Sequence, residues 1–150
     1  AFQILQGIET LALRMDRICD NALAIAYFLK NHAKVAWVNY AGLPEHRDHA
    51  MAQKYMGGKA SGIISFGVKS EADAMAAGGR FQDALQLFTR LVNIGDAKSL
   101  ACHPASTTHR QLNPAELAKA GVSVDMVRLS VGIEHIDDLL ADLEQALAAV

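Results

Sequence analysis

At 150 residues, 51% apolar and 20% charged, the chain is long enough for one packed domain and has the composition of an ordinary globular protein. A formal net charge of −2 provides no basic field for nucleic acid or an anionic membrane, and no apolar run approaches the roughly 20 residues that span a bilayer. The two cysteines, Cys19 and Cys102, form no CxxC and read as reduced thiols of a cytoplasmic protein.

Apolar residues at Leu5, Ile8, Ala12, Met15, Ile18, Ala22, Ile25 and Leu29 recur at steps of three and four. That spacing predicts one amphipathic helix to about His32, roughly 45 Å long at 1.5 Å per residue. The pattern is already running at Phe2 with no capping residue ahead of it, so the expectation is a helix entered part-way along. VAWVNY (35–40) alternates and is β-branched and aromatic, which predicts a strand. Pro44 is expected to open a short helix through Tyr55. The glycines of GGKASG lead into a second strand, IISFGV (63–68). Ser70 and Asp73 stand at cap and third-position spacing. They predict a helix to about Thr89, interrupted at Gly78 and Gly79. LVNIG (91–95) reads as a short extended piece and SLACHP (99–104) as a strand stopped by Pro104. Asn113, Pro114 and Glu116 are a cap, a first-turn proline and an acid three residues on, a strong helix start. MVRLSVG (126–132) is a strand. The last helix buries Ile136, Leu139, Leu140, Leu143 and Leu147 and carries Asp137 and Asp138 early, where its dipole favours anions. The sum is an α/β or α+β domain, four or five short strands covered by helices, without repeats or linkers.

Few residues in this frame could carry chemistry. In VRLSV, alternation places Val127, Leu129 and Val131 on one face and Arg128 and Ser130 on the other. Composition alone favours a solvated second face. The sharper reading is that the planar fork of Arg128 waits for a carboxylate. His46 and His49 lack a supporting third metal ligand. Cys102 and His103 point to opposite faces of a strand and cannot form a thiolate–imidazole pair; Cys102 fits as a small core residue. Gly57, Gly58 and Lys59 precede a strand, the wrong order for a phosphate loop. Asn93, Ile94 and Gly95 end an extended piece, and HPASTTH (103–109) follows a strand. Both are ordinary as turn or surface loop, and both sit where sites are built.

Taken together, LQGIETLALRMDRICDNALAIA, VNYAGLPEH, NIGDAKSLACHPASTTHRQL and VRLSVGIEHIDDLLADLEQAL resemble the C-terminal part of the Cys/Met-metabolism family of pyridoxal-phosphate enzymes. That family includes cystathionine synthases and lyases, methionine γ-lyase and O-acetylhomoserine sulfhydrylase. The resemblance covers essentially the whole chain, and NIGDAKSL with HPASTTHRQL is most similar to the sulfhydrylase branch. It implies the small domain of a fold-type I transferase with a mostly antiparallel sheet. Residues 1–32 would be the interdomain helix and residues 33–150 the small domain. The pyridoxal 5′-phosphate, its Schiff-base lysine and its phosphate contacts would lie on a preceding large domain, so no residue here is carried over as catalytic and no metal is implied. By the same resemblance Arg128 binds the substrate α-carboxylate, with Asn93 (a position often serine in the family) and Ile94 beside it. Ser106, Thr107 and Thr108 border the active-site entrance. The implied reaction is replacement at Cγ of an amino acid, with acetate leaving and sulfide adding to give homocysteine. The implied partners are the amino-acid substrate, the large domain and further copies in a homo-oligomer, a tetramer in the full enzyme.

Overall fold

A computed structural model describes all 150 residues. Its centre is a five-stranded sheet of order β1-β2-β5-β4-β3. The strands are β1 (Val35–Asn39), β2 (Ile63–Val68), β3 (Thr89–Arg90), β4 (Leu100–Cys102) and β5 (Met126–Ser130). All neighbours pair antiparallel except β3 with β4, which are parallel. The helices are α1 (Phe2–Glu9), α2 (Leu11–Asn31), α3 (His49–Met56), α4 (Ala74–Ala84), α5 (Pro114–Lys119) and α6 (Ile136–Ala148). A single 3₁₀ turn spans Pro104–Ser106.

Strand alternation decides the core. Ile64, Phe66, Val127 and Leu129 point to one side of the sheet and are fully buried. They meet Ala22, Ile25 and Leu29 of α2, Phe81 of α4 and Leu139, Leu143 and Leu147 of α6. Phe66 and Phe81 pack edge to face with ring centroids 5.5 Å apart. The opposite sheet face is covered only in part. There Ala105, Leu117 and Val122 form a small cluster with Leu112 and Met126, one pleat from Arg128.

Several expected boundaries move. The long first helix is two helices, broken at Thr10, whose φ of −105° and ψ of 4° end the first run. The Thr10 hydroxyl accepts from Arg14 Nε at 3.3 Å, and the same guanidinium donates to the Gly7 carbonyl. Side chains thus take up groups at a joint where α1 buries nothing and has no packing to hold it straight. Pro44 does not open α3. It lies in a series of turns in which Leu43, buried, donates to Tyr40, His46 to Leu43 and His49 to His46, each backbone to backbone, and the helix begins only at His49. The cap of α4 is Asp73, accepting from Ala76 N at 3.0 Å, while Ser70 Oγ accepts from Asp73 N one step earlier. That helix ends at Ala84 and runs unbroken through Gly78 and Gly79. A Cβ on Gly78 would stand 2.4 Å from His103 Nε2, so the glycine serves close packing and not a bend. LVNIG is not extended as a strand: β3 is only Thr89–Arg90, and residues 91–95 run exposed beyond it. The capping box at Asn113 and Glu116 is present with both of its reciprocal bonds.

Candidate functional site

Arg128 lies at the middle of the sheet on the partly covered face. Its register partners are Ser65 on β2 and Cys102 on β4, and Ser65 pairs in turn with Asn39 on β1. One transverse row therefore reads Asn39, Ser65, Arg128, Cys102. Asn39 Nδ2 donates to Ser65 Oγ at 3.2 Å, and Asn39 Oδ1 meets His46 Nε2 at 2.7 Å. At the other end Cys102 Sγ lies 3.4 Å from Thr107 Oγ1.

In that row the guanidinium is half-buried and makes no ion pair and no hydrogen bond. The acids that flank β5 are engaged elsewhere. Asp125 accepts from Trp37 Nε1 at 2.8 Å, and Glu134 accepts from Ser99. A half-buried arginine without a protein acid leaves its planar fork unpaired.

The two expected neighbours of Arg128 are tied to its strands. Gly95 N donates to Ser130 Oγ at 3.3 Å, which brings the segment carrying Asn93 and Ile94 against β5 two residues from the arginine. Asn93 Oδ1 accepts from Ile94 N at 2.9 Å, which leaves the amide Nδ2 of Asn93 as a free donor. Of that turn only Gly95 has a positive φ, 77°. Thr107 reaches the row through Cys102 and donates to the His103 carbonyl at 2.8 Å. Ser106 bonds to the His103 ring, 2.7 Å from Nδ1. Thr108 is exposed and meets only His109, 2.8 Å from Nδ1. Ser106 therefore braces the loop, Thr107 lies against the sheet, and Thr108 does neither.

His103 and Cys102 are separate, as strand alternation requires. The His103 ring is fully buried, and Nε2 donates to the Val124 carbonyl at 2.9 Å, so Nδ1 is the acceptor for Ser106. Gln82 brackets it, accepting from His103 N and donating to the Ala101 carbonyl. His46 and His49 join hydrogen bonds with Asn39 and the Ala41 carbonyl, and nowhere do three histidine, cysteine, aspartate or glutamate side chains converge as metal ligands.

Two polar networks escaped the sequence reading. Asp142 on α6, 6% exposed, accepts from the backbone N–H of Gln86, Leu87 and Phe88 and fixes the entry to β3. Glu134 holds Ser99, Ser99 holds Gly132, and Asn21 of α2 donates to the carbonyls of Gly132 and Glu134. Each partner lies far away in sequence, so no local spacing could reveal either one.

A cleft of about 700 Å³ opens at the far end of β1 and β2 between Lys34, Lys69, Arg80 and Asp125 and does not include Arg128. Nor do the residues here fit pyridoxal phosphate by themselves. Lys30 and Lys59 are held in ion pairs by Glu45 and Asp16, Lys34 and Lys69 donate to backbone carbonyls, and Lys54, Lys98 and Lys119 are exposed. The side chain of Asp16 also pushes the Lys59 pKa up, the wrong direction for an amine that must lose its proton to react. No helix is long and apolar enough to cross a membrane.

Comparison with known proteins places these features in a family. The family model described as Cys/Met metabolism PLP-dependent enzyme matches residues 1–148. The chain is 51% identical over 148 residues to O-acetyl-L-homoserine sulfhydrylase 1 of Thermus thermophilus, covering 99% of this chain and 34% of that one. It is 53% identical to the O-acetyl-L-homoserine sulfhydrylase of Leptospira meyeri, covering 98% and 33%. It is also 51% identical to the L-methionine gamma-lyase of Pseudomonas deceptionensis, covering 100% and 37%. A Campylobacter jejuni crystal structure described as an O-acetylhomoserine (thiol)-lyase, carrying N′-pyridoxyl-lysine-5′-monophosphate, superposes with a TM-score of 0.87. Identity there is 46%, over 96% of this chain and 34% of that one. The chain thus spans about a third of the length of these relatives.

Proposed function

The chain belongs to the Cys/Met metabolism PLP-dependent enzyme family, and from that membership we propose that it is the C-terminal third of an O-acetylhomoserine sulfhydrylase. The whole enzyme would form homocysteine from O-acetylhomoserine and sulfide in methionine biosynthesis. In this reading α1 and α2 join the domain of residues 33–150 to a preceding large domain. Bound there, pyridoxal phosphate would supply the electron sink for chemistry at the substrate carbons.

The observation that carries the reading is Arg128, a half-buried guanidinium with no acid of its own in a sheet row bordered by the Asn93 turn and the Thr107 loop. The task of this chain is to grip the α-carboxylate and fix the orientation of the amino acid, and Asn93 Nδ2 adds a second donor. Leu91, Val92 and Ile94 are exposed on the same run and offer apolar surface for the rest of the substrate or for the large domain. We place the enzyme in the cytoplasm, in keeping with two free cysteines, and as a homo-oligomer, in keeping with the exposed Phe2, Ile4, Leu5 and Ile8 of α1.

A methionine γ-lyase is the second reading, because one relative of that name matches the whole chain as well as the sulfhydrylases do. Full-length enzyme supplied with O-acetylhomoserine and sulfide, and separately with methionine alone, separates the two. Homocysteine from the first and little γ-elimination from the second supports the sulfhydrylase. The reverse pattern assigns the lyase, and turnover of neither overturns both.

A further inference from the structure

We propose that Glu134 is a positioning residue: it sets the distance between Asn93 and Arg128, and so the fit of the substrate carboxylate between them. The proposal deepens the function given above and rests on it.

The two carboxylate-facing residues lie on different segments. Arg128 is on a well-paired central strand. Asn93 is on residues 91–95, which are exposed and belong to no strand. Something must hold that run against β5. The sheet ladder does not, since β4 pairs with β5 only from Leu100 to Cys102.

The hold is a side-chain clamp just beyond the end of β5. Glu134 takes Ser99 at both of its atoms: Oε1 accepts from the backbone N at 2.6 Å and Oε2 from Oγ at 2.8 Å. Ser99 Oγ then accepts from Gly132 N at 2.8 Å. Ile133 N donates to the Ala97 carbonyl at 3.0 Å and Gly95 N to Ser130 Oγ at 3.3 Å. Together these bonds lay residues 95–99 along residues 130–134. Ser99 is fully buried, and a Cβ on Gly132 would stand 2.4 Å from the Ala97 oxygen, so the contact has no slack. From below, Asn21 of α2 donates to the carbonyls of Gly132 and Glu134 at 3.1 and 3.0 Å. The exit of β5 is thereby fixed to the long helix, and residues 95–99 are fixed to the exit. Glu134 is the hub, the one side chain that links both Ser99 atoms to the β5 end.

A residue that acts through the Asn93–Arg128 gap should alter carboxylate binding and leave the bond-making steps alone. In the full-length holoenzyme, Glu134→Ala is expected to raise KM for the amino acid about tenfold, with kcat and the KM for sulfide changed by less than about threefold. Glu134→Gln retains an acceptor for Ser99 N and should recover most of the loss. The cycle with Arg128→Ala is decisive: once the arginine is gone, Glu134→Ala should add less than about a further twofold. Should Glu134→Ala fail to fold, Ser99→Ala removes the Oγ bonds to Glu134 and Gly132 while keeping the backbone bond from Ser99 N to Glu134, and should raise the same KM severalfold. An unchanged KM in every clamp variant, or factors that multiply in the double variant, overturns the proposal. If Arg128→Ala raises KM while the clamp variants do not, only the clamp is wrong. If Arg128→Ala itself leaves KM unchanged, the carboxylate reading falls first and the clamp with it.

Discussion

Asp142 should be irreplaceable, even by asparagine. Its Oδ1 accepts from Gln86 N at 2.8 Å and from Gln145 Nε2 at 2.9 Å, and its Oδ2 accepts from Leu87 N and Phe88 N at 2.9 Å each. Both oxygens therefore face two donors. Asparagine has one acceptor and one donor end, so in either orientation its NH2 group would face two N–H groups. Alanine strands all three backbone donors, the buried Phe88 N–H at a cost of about 1–3 kcal/mol and the part-buried pair at Gln86 and Leu87 at less, whereas asparagine in its better orientation still accepts from Leu87 N and Phe88 N and turns its NH2 group on Gln86 N and Gln145 Nε2. The sum is about 3 kcal/mol for Asp142→Ala and about 2 kcal/mol for Asp142→Asn, or roughly 6–12 °C and 4–8 °C in the melting temperature of a domain this size. Thermal unfolding followed by circular dichroism reads it directly. An asparagine variant within 1–2 °C of wild type would refute the reasoning, because the nest would then not need two acceptors.

Other consequences are equally open to measurement. Gly78→Ala should push His103 off the Val124 carbonyl, since the new methyl would stand 2.4 Å from Nε2; a loss of about 1–3 kcal/mol in urea unfolding is expected, and a neutral substitution would show the contact to be loose. Burial raises the pKa of both Cys19 and Tyr40, so the folded state keeps protons that the unfolded state loses above the ordinary values of 9.0 and 10.0. Their contribution is complete below pH 9 and is lost as pH rises, so stability should fall above that point; Tyr40→Phe should flatten the part of the fall above pH 10, and an unchanged slope would contradict it. The 150-residue chain by itself should show no sulfhydrylase activity, and light scattering should find it associating through α1, where Phe2 is 71% and Ile4 68% exposed. Leu5→Glu with Ile8→Glu should yield a monomer, and continued association would place the contact elsewhere.

Local pattern revealed what local physics determines. Alternation located β1 and put Arg128 of β5 opposite the core, because a strand's period of two is set by the backbone alone. The box at Asn113, Pro114 and Glu116 and the apolar face of α6 were legible for the same reason. The failures share a different cause. Gly78 and Gly79 read as a break because propensity penalises glycine in a helix, yet at Gly78 His103, from another element, needs the room. The first helix continues the apolar pattern through Thr10, but α1 has no surface to pack on, and helices draw most of their stability from packing. Within the site, the position of Arg128 on its strand could be read. Its lack of an acid could not, because that depends on where Asp125 and Glu134 turn after folding.

The central claim is that Arg128 receives the α-carboxylate, and removing the charge from each side in turn tests it most directly. Arg128→Ala in the full-length enzyme should raise KM for the amino acid by about one to two orders of magnitude, since each hydrogen bond to a charged group contributes about 1.5–3 kcal/mol. The arginine-free enzyme should also lose its preference for an amino-acid inhibitor over the α-carboxamide of the same compound, a preference the wild type should show by a similar factor. If the variant still binds the carboxylate more tightly than the amide by the wild-type ratio, some other group holds the substrate and the account is wrong.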